Sequence, residues 1–106
     1  MSALFDFARL ASFAEDDRTL EQELCGMFLV TADRYLDDMH RAMGCAETWA
    51  AEAHRLKGAA ANIGADAVAE LALAAEHGQP DPGRLAQLQD ALAATRQLLE
   101  KHLGRG

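Results

Sequence analysis

β-Branched aliphatic residues are almost missing from this chain: among 106 residues it holds two Val and one Ile against 23 Ala, and aromatics make up only 6%. Val, Ile and the aromatics fill pleated sheets, whereas Ala is the strongest helix former, so the composition excludes a β-rich fold and predicts an all-α one. Proline occurs only at Pro80 and Pro82, which leaves long segments free of helix-breaking residues. Basic residues are outnumbered, 10 Lys and Arg against 17 Asp and Glu, giving a formal net charge of −7 and a pI near 4.9. Nucleic acids and anionic membranes are met by clustered cations, so the expected partner is another protein. No apolar run approaches the roughly 20 residues that span a bilayer. Met1-Ser2-Ala3-Leu4-Phe5-Asp6 also lacks the basic and apolar regions of a secretory signal. Cys25 and Cys45 have neither C-x-x-C spacing nor a neighbouring His in metal-ligand register, which reads as two reduced thiols in a cytoplasmic protein.

What is present suits one helical domain over residues 1–106: 50% of the residues are hydrophobic and 25% charged, and the length supports a single core. The initiating Met1 and the closing Gly104-Arg105-Gly106 suggest a complete small protein. A short first helix is predicted from Asp6 to Ala14, with Phe7, Leu10 and Phe13 or Ala14 on one side, stopping at Glu15-Asp16-Asp17. The second starts with Asp17 as N-cap and runs to Ala42 on a seam of Leu20, Leu24, Met27, Phe28, Thr31, Tyr35, Met39 and Ala42, with Gly44 as a left-handed stop. The third spans Ala46 to Asn62 on Trp49, Ala53, Leu56, Ala60 and Ile63, and Gly64 ends it. The fourth is capped by Asp66 and uses Val68, Leu71, Ala72 and Ala75 up to Gly78. The last opens at Asp81-Pro82 and carries Leu85, Leu88, Leu92, Thr95, Leu99 and Leu103 before Gly104. Four long helices on short connections predict an antiparallel up-down-up-down bundle, with the short N-terminal helix capping one end.

The third helix is the informative one. At 100° per residue, His54 lies ~160° from Leu56 around the axis, so it points into solvent opposite the core seam. Its neighbours at i−4, i−3, i+3, i+4 and i+7 are Ala50, Ala51, Lys57, Gly58 and Ala61. An exposed imidazole thus stands beside one ammonium, with no bulky side chain around it. A mid-helix glycine costs roughly 1 kcal/mol against alanine, which suggests that another molecule approaches the backbone closely at Gly58. Gly26 in the second helix carries the same cost, which weakens that inference. Ala53 and Ala61 occupy the i±4 positions of Lys57, so no carboxylate on its own helix claims it and a free ammonium is expected, suited to a phosphoryl group at the imidazole.

His54-Arg55-Leu56-Lys57-Gly58-Ala59-Ala60-Ala61-Asn62-Ile63-Gly64-Ala65 resembles the signature of histidine phosphotransfer (HPt) domains, an H-x-L-K-G segment followed by Gly-Ala six residues on. The resemblance extends over the whole chain in size and helix pattern. It implies a histidine phosphorylated by the phosphoaspartate of a receiver domain and dephosphorylated by another receiver. On these residues, it implies that His54 is the nucleophile, that Lys57 offsets phosphoryl charge, that Gly58 gives clearance and that Gly64 is structural; the ring nitrogen that points outward, Nε2, is the expected attacking atom. Arg55 and Ala59 stand where the family often has a small polar residue and a serine. The implied partners are response-regulator receiver domains and a hybrid sensor histidine kinase, with the protein acting as a monomeric carrier rather than an enzyme. No acidic cluster stands beside His54, so a divalent cation, Mg, is expected from the receiver and no cofactor from this chain.

An interaction adaptor that keeps the docking face without carrying phosphate is the alternative, and a metal-binding bundle a more distant one. Asp37 and His40 have the i, i+3 spacing of a ligand pair, but no second copy of the motif occurs. His77 and His102 sit in final turns, where an imidazolium favours the helix dipole. Phosphate loops, catalytic triads, H-E-x-x-H and ATP-binding motifs are absent. Phe5, Phe7, Leu10 and Phe13 are expected chiefly as core beneath the first helix.

Overall fold

In a computed structural model, residues 4–104 are described. Met1–Ala3, which carry half of the leader argument, and Arg105-Gly106, part of the C-terminal one, lie outside them. The described residues form five helices: α1 (Phe7–Phe13), α2 (Arg18–Arg41), α3 (Ala46–Ile63), α4 (Asp66–Glu76) and α5 (Pro82–Gly104). α2 packs on α3, α3 on α4, α4 on α5 and α5 on α2, with no diagonal pairing, so the four longer helices close into a ring around one core. Cross-links give the directions. Arg18 at the start of α2 donates to the carbonyl of His102 near the end of α5, Arg96 meets Asp33 further along, and Trp49 at the start of α3 reaches Ala75 at the end of α4. Neighbours are therefore antiparallel, in the up-down-up-down order expected.

Local chemistry sets the helix ends. Asp6 caps α1 through Arg9 N at 3.0 Å and Asp17 caps α2 through Leu20 N at 3.1 Å, each accepting from an orphan amide of a first turn. α1 stops where Glu15 and Asp16 turn left-handed, at φ 54° and 61°. Gly64 closes α3 at φ 97°, and a Cβ there would stand 2.5 Å from the carbonyl oxygen of Asp6. Its own carbonyl accepts from Asp6 N at 2.8 Å, so this glycine joins the N-terminal segment to the α3–α4 turn. Two expected caps differ. Gly44 is not left-handed, because α2 ends at Arg41 and the turn closes by Cys45 N donating to Ala42 O. Asp66 is the first residue of α4 rather than its cap, because the tight Gly64 turn leaves only Ala65 in that place.

The core is centred on Leu10, Cys25, Phe28, Ala32, Met39, Trp49, Ala53, Leu56, Ala60, Val68, Ala72, Leu88 and Leu99. In α2 the buried line runs through Cys25, Phe28, Ala32, Leu36 and Met39, while Met27, expected on the seam, is 64% exposed. Tyr35 and Leu24 only flank the core, because small residues at the centre let the neighbouring helices approach. α4 has 11 residues against 23 in α5, so it covers only part of the ring. α1 packs on α3 and α2, with Leu10 and Ala14 fully buried, and Phe7 places its ring 4.3 Å from that of His102. Phe13 departs from the expected apolar lid and is 48% exposed. Among the described residues no helix is long and apolar enough to cross a membrane.

Candidate functional site

Three anchors build the site. Leu56, Ala53 and Ala60 are fully buried on α3, which forces the residues between them outward. The His54 side chain is 63% exposed as a result. The indole of Trp49, itself fully buried, donates to the carbonyl of Ala75 at 2.8 Å and ties the last turn of α4 to the first turns of α3. Glu76 follows Ala75 directly, so the same tie brings its carboxylate over the exposed edge of α3.

That carboxylate is shared between two α3 side chains. Nδ1 of His54 stands 2.9 Å from Glu76 Oε2, and Nζ of Lys57 stands 3.2 Å from Oε1, an ionic contact off the hydrogen-bonding direction. An ionised carboxylate only accepts, so Nδ1 carries the proton and donates it. In the neutral ring the lone pair is then on Nε2, the nitrogen left free of this contact. Partial burial pushes the Glu76 carboxyl up, and the combined pull of Lys57 and His54 overrides it, holding the group below its ordinary value of 4.5. The Glu76 side chain is 19% exposed and that of Lys57 30%.

The expectation of a free ammonium at Lys57 is thus corrected: the carboxylate that claims it comes from the neighbouring helix α4, where spacing along α3 could not reveal it. A local signal did exist. Glu76 is the last residue of α4, and a negative charge at a helix C-terminus opposes the dipole unless cations offset it.

Gly58 is exposed, and a Cβ there would meet nothing within 4 Å, so nothing inside the protein requires a glycine. Arg55 does not join the imidazole; it pairs with the buried Glu52, one turn back on α3. Ala50, Ala51, His54, Arg55 and Glu76 line an open hollow at the surface. Among the described residues no group of three or more His, Cys, Asp or Glu could hold a metal ion, and Asp37 of the Asp37/His40 pair is bound by Arg41 at 2.9 Å. His77 caps α4 and is exposed, whereas His102 does more than end a helix, stacking on Phe7 with Nε2 3.5 Å from Glu21. Both cysteines are free thiols, Cys25 buried and Cys45 exposed.

A family model described as the Hpt domain matches residues 23–98, which takes in α3, α4 and His54, Lys57, Gly58 and Glu76. The chain belongs to the Hpt domain family, whose members are phosphotransfer modules of two-component signalling that interact with receiver domains and kinases. Such domains carry phosphoryl groups rather than act as enzymes. Neither a curated protein nor a solved structure matches the chain.

Proposed function

We propose that this protein relays a phosphoryl group between receiver-domain aspartates through Nε2 of His54. The observation that carries the reading is the hydrogen bond between His54 Nδ1 and Glu76 on an otherwise exposed ring, because it leaves Nε2 as the free nucleophile. The Nε2 lone pair attacks phosphorus in line with the bond to the aspartyl oxygen; as the P–N bond forms, the P–O bond breaks and its electrons return to the carboxylate. The imidazole needs no general base, since the nitrogen that attacks carries no proton. Lys57, on the turn after His54, offsets the charge of the arriving phosphoryl oxygens, and Gly58 keeps the backbone clear for the incoming receiver. Glu76 is already engaged by Lys57 and by the Nδ1–H of His54, so the divalent ion, Mg, belongs to the receiver, and this chain brings no cofactor of its own. The donors and acceptors are response-regulator receivers and a hybrid sensor histidine kinase in the cytoplasm, met by a monomer.

The test is transfer of labelled phosphate from a panel of phosphorylated receivers to the wild type and to His54→Gln. An acid-labile, alkali-stable label on the wild type alone is expected. Binding to a receiver without any label would overturn phosphotransfer and favour the adaptor reading.

A further inference from the structure

Glu76 has a consequence for the phosphorylated protein as well as for the resting one. Attack through Nε2 leaves the ring as an Nδ1–H imidazolium joined to phosphorus, 2.9 Å from an acceptor-only carboxylate oxygen. Two forms of that ring are open to it. With the Nδ1 proton in place, the P–N bond breaks to give a neutral imidazole, a good leaving group. With the proton lost to solvent, the same cleavage would have to expel an imidazolate, a far poorer one. We infer that Glu76 is a positioning residue that keeps the phosphorylated His54 protonated at Nδ1 and so sets how readily the phosphoryl group leaves. The inference rests on phosphorylation of His54 as proposed above and deepens that reading.

The step balances without a proton moving. In the forward direction the Nε2 lone pair becomes the P–N bond; in the reverse direction that bond pair returns to Nε2 as the next aspartate oxygen bonds to phosphorus. The Nδ1 proton remains on the ring and on its hydrogen bond to Glu76 throughout, so one arrangement serves both loading and unloading. The charges that face the ring are few. From α4 there is Glu76; from α3 there are Lys57, bound to the same carboxylate, and Arg55, whose charge is matched by Glu52. Glu76 is therefore the one anion in direct contact with His54 among the described residues, and an opposite charge at hydrogen-bond distance favours the protonated form of a cationic ring.

Glu76→Gln keeps the size of the side chain and an amide oxygen able to accept from Nδ1, while removing the charge; Glu76→Ala removes both. Each variant and the wild type would be phosphorylated with potassium phosphoramidate, and the phosphorus resonance followed against pH, together with the rate of transfer from the phosphorylated protein to a receiver. In Glu76→Gln the midpoint of the phosphorus titration is expected at a lower pH than in the wild type. Its transfer rate at pH 8 should fall and recover on acidification, as a merely structural defect would not. Equal midpoints in wild type and Glu76→Gln, with both phosphorylated at His54, would overturn this inference and leave the proposed function standing. Failure of phosphoramidate to label His54 in the wild type would overturn both.

Discussion

Gly26 and Gly58 sit in the interiors of α2 and α3, are exposed, and would each accept a Cβ with nothing within 4 Å. Helix propensity alone says that alanine at either position stabilises the fold by about 1 kcal/mol, since glycine has more conformational freedom to lose on folding. For a domain of this size that is a rise in melting temperature of about 4–8 °C for each substitution. Neither glycine touches the other's helix face, so the double variant should gain about the sum, close to 2 kcal/mol. Function should separate them. Gly58 lies one turn from His54 on the exposed face of α3, whereas Gly26 belongs to a groove formed with Leu29, Leu99 and Leu103 between α2 and α5. Gly26→Ala is expected to transfer phosphate as the wild type does. Gly58→Ala should slow transfer and Gly58→Glu should abolish it by bulk and like charge against an acidic receiver site, with both variants still folded. Urea denaturation and a receiver-to-protein transfer assay on the four variants measure the two effects side by side. Unchanged transfer in Gly58→Glu would refute the clearance argument, and a loss of stability in either alanine variant would refute the reading of these positions as internally unconstrained.

The remaining predictions concern the supports of the site. Trp49→Phe removes the indole donor from the Ala75 carbonyl, which still accepts from Gly78 N at 3.2 Å, so the lost bond should cost about 0.5–1.5 kcal/mol in urea denaturation and slow phosphotransfer by loosening Glu76; intact transfer at reduced stability would show that Glu76 is held by other contacts. Gly64→Ala must adopt φ near 97° and push aside the Asp6 carbonyl, so a clear fall in melting temperature is expected, opposite in sign to that at Gly26 and Gly58. The depressed Glu76 carboxyl contributes stability that is present above its ordinary value of 4.5 and is lost as pH falls through its lower folded value; acid unfolding of Glu76→Gln should therefore depend less steeply on pH below 4.5. Iodoacetamide should alkylate Cys45 first, because Thr48 bonds to its sulfur and favours the thiolate, while burial and the nearby Glu21 push the Cys25 thiol up to about 11.

Most helices are legible in the sequence because their ends are written in local chemistry: Asp17 as a cap, Gly64 as a left-handed stop and Pro82 as a first-turn residue all act within a few positions of themselves. The face of α2 was read less well. Periodicity weighted by bulk favours Met27, Thr31 and Tyr35, yet the helix turns Cys25 and Ala32 to the centre, where close approach of neighbours rewards small side chains. His54 and Gly58 could be placed on an open face because a regular core seam on the same helix fixes where everything else must point. Glu76 could not be found in that way. It lies 22 residues from His54 and 19 from Lys57, and only the packing of α4 on α3, tied by Trp49, brings the three together. Spacing reports neighbours along a helix, and this contact runs between two.

The central claim is that a phosphoryl group is carried on Nε2 of His54 while Nδ1 keeps its proton. Nitrogen-resolved NMR of the ring-labelled protein, recorded before and after incubation with a phosphorylated receiver, tests it most directly. The account predicts phosphorus coupling at Nε2 of His54, with Nδ1 retaining its proton. Coupling at Nδ1, phosphorylation of His40, His77 or His102 in place of His54, or an unmodified ring after productive binding would contradict it.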